Sequence, residues 1–149
     1  MCEMSDIARA IIDCIKNGGK ILIFGCGGLA SESNHFAAEL VGKYLHDRKA
    51  LPAISLTSNE AIITAISNDF GFQFVFGRQI EALGKKGDLA IGMSTSGKSM
   101  SVLVGLDRAL DLGLKTIDWP REGSNTPGIQ ENQIKLMHKV CEEVEKEFI

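Results

Sequence analysis

The sequence predicts an α/β fold in which a parallel sheet is covered by helices on both faces. Short apolar runs alternate with segments of helical period along the chain, the pattern that parallel sheets require. Two loops rich in glycine or serine stand directly between a strand-like run and a helix. A length of 149 residues suits one compact domain around a single core.

The elements follow in order. Ile7, Ala8, Ile11, Ile12 and Ile15 recur at helical spacing over Met4 to Lys16, and Asn17-Gly18-Gly19 stops that packing helix (residues 1–17). Lys20 to Phe24 reads as a strand that runs into Gly25-Cys26-Gly27-Gly28, and a second helix is expected from Ser31 to about Tyr44. Ala53 to Leu56 is strand-like. The polar turn Thr57-Ser58-Asn59 then leads into a helix from Glu60 to Ile66. One helix is expected over Phe72 to Leu83, ended by Gly84-Lys85-Lys86-Gly87. Asp88 to Met93 is the third strand, Ser99 to Leu112 the next helix, and Leu114 to Ile117 the fourth strand after Gly113. A long amphipathic helix, from about Ile129 to Phe148, ends the chain.

Composition narrows the function. Hydrophobic residues make up 44% and charged residues 23%, as in ordinary globular proteins. The formal charge of −3 carries no electrostatic footprint for nucleic acid. No apolar run approaches a membrane span, and the polar N-terminus does not read as a signal peptide, so a cytoplasmic location is expected. Cys2, Cys14, Cys26 and Cys141 lack C-x-x-C spacing, so reduced thiols are expected rather than disulfides or a zinc knuckle.

Ligands of such sheets bind at the carboxyl ends of the strands, where both loops lie. The stretch Gly92 to Ser99, GMSTSGKS, fits the G-x-x-x-x-G-K-[ST] pattern of a nucleotide P-loop. It follows the third strand rather than the first, however, and Lys115 interrupts the run that should carry a magnesium-binding acid. Its hydroxyls, loop amides and the following helix N-terminus suit a smaller phosphate ester; the plain alternative is a Ser/Thr-rich turn and N-cap. The first loop lacks the third glycine of a dinucleotide fingerprint, because Ser31 stands there.

His35 and Glu39, four residues apart, share one face of the second helix; Gln130 and His138 lie two turns apart on the last. These donors could bind a divalent metal, or simply line solvated helix faces. His46 reads as a surface residue at a helix end. Glutamate and histidine beside a phosphate cradle suit proton transfer next to a carbonyl, which needs no redox cofactor.

The segments His35-Phe36-Ala37-Ala38-Glu39-Leu40-Val41-Gly42-Lys43-Tyr44 and Asn68-Asp69-Phe70-Gly71-Phe72 resemble phosphoheptose isomerases of the SIS (sugar isomerase) superfamily. Ser94-Thr95-Ser96-Gly97-Lys98-Ser99 is similar to that family's S-T-S-G-N-S phosphate loop, and Thr126-Pro127-Gly128-Ile129-Gln130-Glu131 with His138 to its last helix. The resemblance implies a three-layer α/β/α SIS domain over residues 1–149, with its C-terminal helix at 128–149. It implies isomerisation of sedoheptulose 7-phosphate to D-glycero-D-manno-heptose 7-phosphate through an enediol, at the entry to activated heptose. By position, Glu39 and His138 would be the acid/base pair, and His35, Glu39, Gln130 and His138 the ligands of one zinc. Ser94, Thr95, Ser96 and Ser99 would hold the phosphate, with Cys26, Gly27, Gly28, Asn68, Asp69 and Gln130 contacting substrate. A homotetramer with shared sites is implied.

The chain departs from the family pattern at Cys26 and Leu29, which replace asparagine and serine, and at Lys98, which replaces asparagine. The backbone N–H of Leu29 is expected to remain usable at the phosphate. Ile117-Asp118-Trp119-Pro120 runs almost directly into Ser124-Asn125-Thr126-Pro127, where relatives have a further helix and strand. That predicts an exposed sheet edge. The other readings are a non-catalytic SIS protein that binds a phosphosugar or a partner such as a replication initiator, and a nucleotide-hydrolysing P-loop protein.

Overall fold

The computed structural model describes residues 4–149; Cys2 lies outside them. Four parallel strands form one sheet in the order β2-β1-β3-β4: β1 Ile21–Gly25, β2 Ala53–Ser55, β3 Leu89–Met93 and β4 Lys115–Asp118. Six α-helices flank it: α1 Asp6–Lys16, α2 Gly28–Val41, α3 Glu60–Asp69, α4 Gly77–Leu83, α5 Met100–Asp111 and α6 Thr126–Lys146.

β1 and β3 are buried at every residue because they lie between neighbours and under both helical layers. Their alternate side chains separate two cores. Ile21, Ile23, Leu89, Ile91 and Met93 pack beneath α1, α2 and α6, whereas Leu22, Phe24 and Ala90 pack beneath α3, α4 and α5. Ser5, Asn59 and Asn125 cap α1, α3 and α6 by accepting an early backbone N–H, as their places before helical runs predict.

Several boundaries differ from the sequence reading. The stretch 72–83 is not one helix: Phe72–Phe74 form a 3₁₀ turn, and α4 starts only at Gly77. α2 begins three residues before Ser31 and ends at Val41, so His46 sits in the exposed segment after the helix. The last helix starts at Thr126.

β4 is an edge strand with its residues partly or fully exposed, as the shortened sequence predicts. Only seven residues, 119–125, join it to α6. Trp119 extends the ladder by one bond, its N–H donating to Gly92 (2.9 Å), and its ring is fully buried edge-on to Phe36 at 5.3 Å.

Candidate active site

The carboxyl ends of β1 and β3 release the chain into the two loops side by side. Gly25 is required there: a Cβ would stand 2.9 Å from both the Leu29 Cβ and the Met93 carbonyl. The side chain of Gln130, on α6, lies against Gly28, its Nε2 3.0 Å from where a Cβ would be. Cys26, Leu29, Met93, Ser94, Thr95, Ser96, Ser99 and Gln130 line a recess of about 100 Å³. That is well below the roughly 300–1,000 Å³ of a typical small-molecule pocket. The recess has room for a phosphate group, and a sugar chain would have to extend outward.

The loop after β3 is preshaped by its own hydroxyls. Ser94 Oγ accepts the Gly97 N–H and Ser96 Oγ accepts the Lys98 N–H, both at 3.0 Å. The two hydroxyls stand 3.5 Å apart, so one can donate to the other while the second keeps its proton for an incoming acceptor. Ser99 stands before α5 without capping it, near Ser101 (3.4 Å) and the Cys26 thiol (3.7 Å). Gln133, 1% exposed, donates to the Ser94 carbonyl at 3.1 Å and to that of Pro120 at 3.2 Å, tying α6 to the loop. The expectation for Leu29 fails: its N–H donates to the Cys26 carbonyl (3.1 Å) and its side chain enters the core, so neither serves a phosphate.

The titratable cluster lies where α2 packs on α6. The two ring nitrogens of His35 face two carboxylates: Nδ1 is 2.9 Å from Glu32 and Nε2 is 3.1 Å from Glu39. A neutral imidazole has one N–H, so the second contact calls for another proton or a cation between nitrogen and oxygen. The His138 ring stands edge-on to His35, centroids 5.3 Å apart, and Tyr44 covers it at 5.7 Å. Burial, followed by the charges of Cys141, Glu142, Glu39 and Glu145, pushes the Tyr44 phenol up, so it stays protonated.

As metal donors, two imidazoles, a carboxylate and an amide suit zinc. The contact between His35 Nε2 and Glu39 fits a cation, but Gln130 is turned onto Gly28. No group of three or more His, Cys, Asp or Glu side chains is close enough to hold an ion among the described residues. Asn68 and Asp69 are set apart: α3 starts near the carboxyl end of β2 and carries them about 14 Å along its axis.

Sequence reasoning missed Glu32, Tyr44, Gln133 and Arg121. Glu32 and Gln133 could have been found from their i±3 spacing to His35 and Gln130. Nothing local marks Arg121, whose guanidinium rests on Gly97. A larger hollow, about 510 Å³ and bordered by Lys20, Lys49, Lys85 and Lys86, opens at the amino ends of the strands, away from this chemistry.

The chain is similar to proteins of known kind. The family model for the SIS domain matches residues 2–118, ending at the last residue of β4. Phosphoheptose isomerase from Helicobacter pylori strain P12 is 46% identical over 154 positions, covering 93% of this chain and 80% of that protein. Those 154 positions take up only about 139 of the 149 residues, so about 15 positions of the relative have no counterpart here. The phosphoheptose isomerase of Aquifex aeolicus is 44% identical, covering 97% of this chain and 84% of its own. Solved phosphoheptose isomerases from Francisella tularensis and Neisseria gonorrhoeae superpose with TM-scores of 0.89 and 0.84, at 31% and 34% identity. Each covers 94% of this chain and 83% of the solved one. With the three-layer sheet and the loop and helix motifs in matching order, the chain belongs to the phosphoheptose isomerases of the SIS-domain family.

Proposed function

We propose that this chain isomerises sedoheptulose 7-phosphate to D-glycero-D-manno-heptose 7-phosphate, serving the biosynthesis of activated heptose. The observation that carries the proposal is the placement of His35, Glu39 and His138 on packed helices whose other residues border a hydroxyl-rich phosphate loop. The phosphate anchors the substrate at Ser94, Thr95, Ser96 and Ser99, and the recess is too small to hold the sugar chain as well. Cys26, Gly27, Gly28 and Gln130 border the start of that chain.

The reaction moves one proton between carbons and one between oxygens. One member of the pair Glu39 and His138 takes a proton from C1 of the ketose, giving an enediol, and returns it to C2. The other carries the proton between O1 and O2, so the carbonyl ends on C1 and no electron acceptor is consumed. Glu32 holds His35 through Nδ1 and so fixes the side chain that faces Glu39. His35, Glu39 and His138 would hold a zinc together with Gln130 once that amide turns from Gly28, and the metal would supply polarisation of the carbonyl when bound.

Self-association belongs to the proposal. We place Asn68 and Asp69 at a neighbouring copy's site; Phe70, Phe72 and Phe74 beside them are 51%, 53% and 39% exposed and would be covered in a homotetramer with shared sites. No helix of the described residues is long and apolar enough to cross a membrane, which agrees with the cytoplasmic reading.

The test is turnover of sedoheptulose 7-phosphate with zinc supplied. Glu39→Gln should lower kcat by about 10²–10⁴-fold while largely keeping substrate binding. Elemental analysis of protein purified without chelator should give about one zinc per site. If the wild-type chain yields no aldose, the non-catalytic phosphosugar-binding reading replaces this one.

A further inference from the structure

A phosphate monoester dianion needs positive charge, yet the loop's one cation, Lys98, is exposed to solvent. The short connector brings a second. Arg121 lies across the loop with its Cζ and Nη2 3.0 Å, and its Nε 3.1 Å, from where a Cβ on Gly97 would stand. Gly97 has a φ of +69°, so glycine there serves both the left-handed turn and the guanidinium's seat. The side chain is held, not trailing. Asp118, at the carboxyl end of β4, takes Nη1 and Nη2 at 2.5 and 2.9 Å.

The backbone on either side is pinned to α6. Gln133 donates to the Pro120 carbonyl at 3.2 Å and Asn132 to that of Glu122 at 2.9 Å. An end-on pair with Asp118 uses two of the five guanidinium N–H groups and leaves three. The side chain remains 30% exposed. Seven residues join β4 to α6, and Gln133 binds both this connector and the loop beneath Arg121.

We propose that Arg121 is the cationic arm of the phosphate site. It donates its free N–H groups to the phosphate oxygens of a substrate seated in the Ser94–Ser99 loop. The proposal rests on the phosphate-binding role given to that loop. It adds a specificity determinant for dianionic over uncharged sugars, drawn from the segment where this chain is shorter than its relatives.

The experiment is calorimetric titration of the full chain with inorganic phosphate, compared among wild type, Arg121→Gln, Arg121→Lys, Asp118→Asn and Ser96→Ala. Arg121→Gln should weaken phosphate binding about tenfold, and Arg121→Lys should recover only part of that because the ammonium lacks the planar fork. Asp118→Asn should keep or raise the affinity by releasing the guanidinium, and Ser96→Ala should lower it, locating the anion in the loop. In turnover, Arg121→Gln should raise KM more than it lowers kcat.

Unchanged phosphate affinity in Arg121→Gln overturns the inference. So does an equal loss in Asp118→Asn, which would make the pair a clasp for the connector, and so does an affinity indifferent to Ser96→Ala. Absence of isomerase activity in the wild type would remove the proposed reaction, but the phosphate titration would still decide the role of Arg121.

Discussion

Removing the carboxylate of Glu145 should cost more stability than any other single change of a charged side chain in this protein. Glu145 is 1% exposed near the end of α6 and accepts the backbone N–H groups of Tyr44, Leu45 and His46 at 2.9, 2.7 and 3.0 Å. Arg48 Nε lies 3.4 Å away, with its side chain also 1% exposed. The Arg48 guanidinium in turn donates to the carbonyls of Glu39, Leu40 and Gly42, which α2 leaves open at its end. One carboxylate therefore joins the end of α2 and the segment after it to α6.

Glu145→Ala leaves three buried N–H groups without their acceptor and the Arg48 guanidinium without its counter-ion. Breaking a buried ion pair from one side costs about 3–5 kcal/mol, and the unpaired amides fall within that figure rather than adding to it. A loss of about 4 kcal/mol should lower the Tm by about 10 °C in a chain of this size. Glu145→Gln keeps one carbonyl acceptor, so it should lose roughly half as much. Urea denaturation and thermal circular dichroism, at one protein concentration, measure both. A Glu145→Ala variant within about 1 kcal/mol of wild type would refute the reasoning.

The pH dependence gives a second reading of the same group. Burial alone would raise the Glu145 carboxyl, but the amides of Leu45, Tyr44 and His46 and the charge of Arg48 outweigh it and hold it below its ordinary value of 4.5. A carboxyl lowered by folding stabilises the protein above its unfolded pKa, and that stability is lost as pH falls through the folded value. The wild type should therefore weaken on acidification below about pH 4.5, and Glu145→Gln should show a shallower decline.

Two further outcomes are expected besides those tied to Glu39 and Arg121. Leu29→Ser, which supplies the hydroxyl that the family resemblance implies, should destabilise the chain by about 2–4 kcal/mol in urea melts, because Leu29 is core and only 4% exposed; an unchanged melt would place it outside the core. Alkylation at pH 8, followed by peptide mass spectrometry, should label Cys26 in the native protein and spare Cys14 and Cys141. Burial, with Asp88 beside it, pushes the Cys14 thiol up to about 11, and deeper burial pushes Cys141 further; labelling of Cys141 as fast as Cys26 would contradict this.

The alternation of strands and helices, the two loops at strand ends and the pair His35/Glu39 were all legible in the sequence. Each depends on residues within a turn or two of one another, where periodicity and capping act. The split of residues 72–83 was not legible, because Val75 and Phe76 at the break are buried apolar residues like those of a continuous helix. The burial of Leu29 was not legible either, because only the packing of α2 on the sheet directs that side chain inward.

The sequence by itself determined the fold class, the family and the kind of chemistry this chain can carry. Those follow from local pattern and from motifs kept in order. The tertiary structure alone decided which groups meet: Gln133 with Ser94 across 39 positions, Glu145 with Tyr44 across 101, and Arg121 with Gly97. Composition and periodicity say which face of an element is buried. The partner on that face is chosen by strand order and layer packing, which no neighbouring residue encodes.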